Sequence, residues 1–172
     1  MKSILELPAD VISQFTAVPE EFWGRVSNYL YGQILESAHD HLVVRVFQRF
    51  DFAALVKGCQ AYRLYAGQRG QAADYSVEQL CRTLVLRHLH HWSFRVTCAE
   101  LKSNLLLRWF VGFLVNEQTL SYVTLQRFEE WLLCHQPRLF FAEILRQIDQ
   151  DFPEDATQPQ VGDTFALLAR TA

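Results

Sequence analysis

A chain of 172 residues that is 50% apolar and 20% charged can bury a core, which argues against an intrinsically disordered chain. Its longest apolar run, 105–115, covers 11 residues and is broken by Arg108, too short to span a bilayer. The formal net charge of −3, taken whole, argues against a nucleic-acid binder, which is usually basic.

Pro19, with Glu20 and Glu21 in the first turn, predicts a helix running to about Ser37. His39 and His41 flank Asp40 and suit the start of the next helix, which carries Leu42, Val43, Val46, Phe47 and Phe50. Asp51 is placed to cap a third, with Phe52, Leu55, Val56, Cys59 and Tyr62 inward. A polar loop with Gly67 and Gly70 follows. Ser76 and Gln79 form a capping box ahead of Val77, Leu80, Cys81, Leu84, Val85 and Leu89, which follow the i, i+3, i+4, i+7 template. Ser93 opens a helix through Lys102. Ser121 opens another to about His135, with Val123 or Leu125, Phe128 and Leu132 inward. Pro137 begins the last, to about Phe152. After Pro159 the run QVGDTFALLA reads as a strand, or else as an extended tail on the helices.

The predicted fold is therefore all-α, a multi-helix bundle with helix-turn-helix-like elements over 76–91, 94–103 and 121–134. The helical domain covers 1–152. Residues 153–172 are a linker and a single C-terminal strand, whose partners would belong to a further domain. The cysteines at 59, 81, 98 and 134 show no zinc-ligand spacing, and MKSILELPAD has no secretory pattern. They read as reduced thiols in a cytoplasmic protein, mostly core filler.

Charge is unevenly distributed. Residues 1–55 carry −3, residues 56–110 carry +5 and residues 111–172 carry −5. The basic middle segment holds Arg82, Arg87, Arg95, Lys102 and Arg108, and a basic helical face is what contact with a phosphate backbone needs. These five are the candidate phosphate ligands; Gln126 and Arg127 are the candidates for base edges. The bland alternative is a solvated charged face. His88, His90 and His91 invite a metal reading, but only 88 and 91 share a helical face and no carboxylate is near, so no metal site is expected. The aromatic groups around Trp92, Trp109 and Trp131 could stack on bases, although helical spacing favours the core.

The ordered motifs resemble the N-terminal domain of InsH-like insertion-sequence transposases of the bacterial DDE type. The resemblance runs over about residues 36–172, through HDHLVVRVFQRFDFAALV, YAGQRGQAADYSVEQLCRTLVLRHLHHW, SFRVTCAELKSNLLLRWFVGF, YVTLQRFEEWL and VGDTFALLA. Gly-Gln-Arg-Gly stands where that family often has Gly-Arg-Pro, and Phe128-Glu129 where it favours Phe-Arg. The resemblance implies a module that binds the terminal inverted repeats of a transposon, working in the bacterial cytoplasm at the nucleoid. It also implies that Asp163 is the first catalytic carboxylate of an RNase-H-like domain. Such enzymes use Mg²⁺ held by three carboxylates. Only the first is present here, so this chain is expected to bind no Mg²⁺ cofactor and to have no strand-transfer activity. Two other readings remain open: a dimerisation module, or a remnant without function.

Overall fold

A computed structural model describes residues 20–68 and 75–151 of the chain. The helices are α1 (Glu20–Ser37), α2 (Leu42–Arg49), α3 (Ala53–Cys59), α4 (Ala61–Gln68), α5 (Val77–Leu89), α6 (Phe94–Ser103), α7 (Leu105–Val111), α8 (Tyr122–His135) and α9 (Leu139–Asp151). Among the described residues there is no strand, so this region is all-α. The predicted strand, Asp163, and the Gly70 turn lie outside the described residues.

The helix starts follow local chemistry. The Ser76 hydroxyl accepts from the Gln79 amide at 3.0 Å while the Gln79 side chain accepts from the Ser76 amide at 2.9 Å, completing the capping box. The Ser93 and Ser121 hydroxyls cap α6 and α8 by accepting from the Val96 and Thr124 amides, without the reciprocal bond. His41 starts α2, its Nδ1 accepting from the Val43 amide at 3.2 Å. The Asp51 carboxylate accepts from the Ala53 amide at 2.8 Å, although Phe52 is the residue at the boundary of α3.

Two local features depart from the sequence reading. The helix predicted over 52–62 is interrupted by a turn at Gln60 and resumes as α4. The apolar run after Asn104 forms a helix of its own, α7, which periodicity did not separate. Its signal is the cap: the Asn104 carboxamide accepts from the Leu106 and Leu107 amides at 3.0 and 3.3 Å. Gly112 closes it with φ at 90°, a left-handed turn that suits a residue without Cβ.

The centre of the bundle is α5, which packs on α3, α6, α7 and α8. Leu80, Cys81, Leu84 and Leu86 are buried on it, so its apolar surface is wider than the predicted stripe. Leu55, Leu101, Leu107, Phe110, Phe113, Leu125 and Phe128 complete the core. Each such side chain contributes about 1.5–3 kcal/mol by leaving water. Cys59, Cys81 and Cys98 are free and buried, whereas Cys134 is free and exposed. A contact with Cys81 lowers the Cys59 thiol, while that contact and burial push Cys81 up.

The last helix, α9, packs on α3. Leu139 lies so near Gly58 that a Cβ there would meet its side chain at 2.6 Å. Gln147 holds the α2–α3 junction: it accepts from the Asp51 amide at 2.9 Å and donates to the Asp51 carbonyl at 2.7 Å.

Candidate nucleic-acid interface

The segment between α7 and α8 decides where the basic residues point. Tyr31 of α1 donates to the Phe113 carbonyl at 2.6 Å, and Ser27 accepts from the Val115 amide at 3.0 Å. Tyr75 donates to the Thr119 carbonyl at 3.2 Å. Glu117 accepts from the Leu114 amide at 2.8 Å and from Gln79 at 3.2 Å. Helix α1 and the N-terminal end of α5 therefore clamp this loop and set the position of the α8 N-terminus.

Arg108 is the cation at the centre of that clamp. It is 5% exposed. Its guanidinium donates to the carbonyls of Leu101, Leu114 and Glu117 at 3.3, 2.5 and 2.5 Å. Leu101 lies in the last turn of α6, where carbonyls lack helical partners, so Arg108 closes one helix and holds the loop before another. Arg108, expected as a phosphate ligand, thus has its NH1 and NH2 groups on carbonyls inside the fold, while its Nε is buried without a partner. The signal was its place within the apolar run LLLRWFVGFLV.

Arg82 and Arg87 are mostly buried as well. Arg82 pairs with Glu78, donates to the Phe110 carbonyl at 3.1 Å and lies over the Phe47 and Phe52 rings. Arg87 pairs with Glu129 at 2.8 Å and lies 4.1 Å from the centre of the Phe94 ring. His88 reaches the same carboxylate at 3.1 Å. The acidic residue at 129, the departure noted in the sequence, is thus the partner of two basic side chains on α5.

Arg95 and Lys102 are exposed on α6. With Arg108 they line a cleft of ≈ 740 Å³ whose far wall is Gln118–Thr124. Tyr122 places its ring 4.9 Å from the Arg95 guanidinium, a cation–π contact. The N-terminus of the 14-residue α8 opens on the same cleft, and Ser121 and Thr124 line it. A helix N-terminus favours anions, so cations and dipole act in the same sense there. Cys98 sits on this wall, its thiol pushed up to about 11 by burial and so protonated at neutral pH. The wall formed by Gln118–Thr124 was missed in the sequence, apart from the Ser121 cap.

Residues 32–131 match the family model described as Transposase domain (DUF772). The chain belongs to this transposase-domain family. No curated protein and no solved structure matches the chain. The matched span of the transposase domain begins within α1 and ends at Trp131 of α8, so it contains the clamped loop and both walls of the cleft.

The remaining candidates in the transposase domain are spread out. Gln126 is exposed and donates to Glu130 at 2.9 Å, one turn further along α8. Arg127 is exposed beside Tyr62, Tyr65 and Trp131, which line a separate cleft with it. Neither lines the cleft of Arg95 and Lys102. Phe110, Phe113, Phe128 and Trp131 are core, and Trp92 and Trp109 are half-buried against it. His91 lies past the end of α5 with φ at 53°, so it does not continue the helical face of His88. Among the described residues no group of three or more His, Cys, Asp or Glu side chains could hold a metal ion. No helix among them is long and apolar enough to cross a membrane.

Proposed function

We propose that the helical region is the DNA-binding module of an insertion-sequence transposase of the InsH-like kind, recognising transposon ends. The observation that carries this reading is the cleft where exposed Arg95 and Lys102 face the N-terminus of α8. Two exposed cations and a helix N-terminus share one cleft, in a chain of the transposase-domain family. In this reading α5, α6 and α8 act as a helix-turn-helix-like array. Arg95, Lys102 and the α8 N-terminus hold phosphates, and exposed Gln126 and Arg127 on α8 approach base edges. Arg82, Arg87 and Arg108 shape the array from inside. The helices are assigned binding rather than phosphoryl transfer. Asp163 is proposed as a carboxylate of the catalytic, Mg²⁺-dependent part of the transposase.

Fluorescence anisotropy with a duplex carrying the flanking inverted repeats tests the reading. Affinity is expected to fall steeply with salt. Arg95→Ala and Lys102→Ala should each weaken binding and lower the slope of log K against log salt by about 1, as for one lost phosphate contact. Absence of binding to any duplex at low salt would refute the proposal.

A further inference from the structure

Past Leu139 and Phe140, which pack on the core, helix α9 turns polar side chains inward and apolar ones outward. It buries Glu143 and Gln147, the first held by Arg146 at 2.9 Å and by Gln147 at 2.7 Å, the second spent on the backbone of Asp51. Its apolar residues Phe141, Ile144, Leu145 and Ile148 fall at i, i+3, i+4 and i+7, one continuous stripe. They are 68, 37, 40 and 45% exposed. Burial of polar residues and exposure of four large apolar ones on one helix is costly in water unless something covers the stripe.

The stripe does not stand alone. Ile144 and Ile148 line a groove of ≈ 210 Å³ with Leu42, Val46, Arg45 and Arg49 of α2 and Asp151 at the end of α9. Leu42 is itself 47% exposed. The face is therefore apolar in the middle, basic along α2 and acidic at the end of α9, where Asp149 and Asp151 are exposed. Among the described residues Arg45, Arg49, Asp149 and Asp151 form no ion pair with one another or with any other side chain.

We propose that the α2–α9 face is an interface between two copies of this chain, related by a two-fold axis. Charge complementarity selects this occupant. A two-fold axis through the apolar centre sets the α2 arginines of one copy against the α9 aspartates of the other, and the reverse, while the two stripes close on each other. An acidic partner would satisfy only the α2 edge, and a basic one only the α9 end. A second copy satisfies both with one surface. The proposed face joins α2, inside the matched transposase-domain span, to α9, which follows it, and the proposal does not depend on the DNA-binding reading.

Sedimentation velocity of the full chain without DNA tests it. The mass is expected to rise with concentration from 20.0 kDa to twice that value. Phe141→Glu and Ile148→Glu, both at exposed positions, should each abolish the larger species while leaving the circular dichroism spectrum unchanged and making Tm independent of concentration. Arg45→Glu with Arg49→Glu should also abolish it, and adding Asp149→Lys with Asp151→Lys should restore it. A chain that stays monomeric at every concentration would overturn the proposal, as it would if another segment or another protein covers the stripe. A dimer indifferent to both α9 substitutions, or a charge reversal that fails to restore it, would overturn it too.

Discussion

Arg108 and Lys102 lie six positions apart, on adjoining helices, and both belong to the basic middle of the sequence. Both line the same cleft, but Lys102 is exposed there, while Arg108 is nearly buried and holds three carbonyls. The same division separates Arg95 from Arg82 and Arg87. The side chain alone fixes the charge; its surroundings fix the use. A cation among unpaired carbonyls or beside a buried carboxylate is drawn in and spent, and a cation on the outer face of a helix keeps its donors for a ligand. The +5 of residues 56–110 thus overstates the charge that a phosphate could meet.

The sharpest way to break this division is Arg108→Met, which keeps bulk and removes the donors. Three carbonyls would lose their partner, and each buried acceptor left unpaired costs about 1–3 kcal/mol. A loss of about 3–5 kcal/mol is expected in urea unfolding, with the DNA affinity of the folded protein little changed. A variant as stable as the parent with markedly weakened DNA binding would place Arg108 among the ligands instead.

Glu129→Gln acts on the same division at smaller scale. The carboxylate is mostly buried and accepts from Arg87 and His88 at 2.8 and 3.1 Å. Neutralising it leaves one hydrogen bond possible but removes the charge assistance, so a loss of about 1–2 kcal/mol is expected by thermal unfolding. An unchanged Tm would mean that Arg87 is not held by this pair.

These contrasts also mark what the sequence could reveal. The capped helices were legible because Ser76, Ser93 and Ser121 each supply an oxygen at the right offset, and α8 showed Leu125, Phe128 and Leu132 at helical spacing. The break at Gln60 was not legible, because Leu55, Val56, Cys59 and Tyr62 keep helical spacing across it. Helix α7 was hidden because its residues are nearly all apolar, which erases the period; only Asn104 and Gly112 bound it. The sense of α9 was hidden too. Pro137 announced a helix, but the backbone of Asp51, 96 positions away from Gln147, is what turns the polar side inward. At the candidate site, the cations were legible as residue types. Their division into inward and outward groups depended on the clamp set by Tyr31, Ser27 and Glu117, which joins distant segments.

The smallest expected effect concerns His90, the titratable member of the inward group. It ends α5, its ring stacked on Trp92 at 4.2 Å, and its Nε2 is buried without a partner. The end of a helix favours a protonated imidazole, but burial opposes it and prevails, aided by His41 and only partly offset by Glu100; the His90 pKa lies below its ordinary value of 6.5. The unfolded chain therefore takes up this proton first as pH falls. Stability from His90 is present above about pH 6.5, declines as pH drops through the interval between that value and the folded one, and is lost below it. The difference between parent and His90→Gln is the quantity to read, by urea unfolding at stepped pH. The parent should lose stability on acidification more steeply than the variant. Equal slopes would show that the ring is not held neutral by burial, and Arg95→Ala, on the outward side, should leave the slope as it is in the parent.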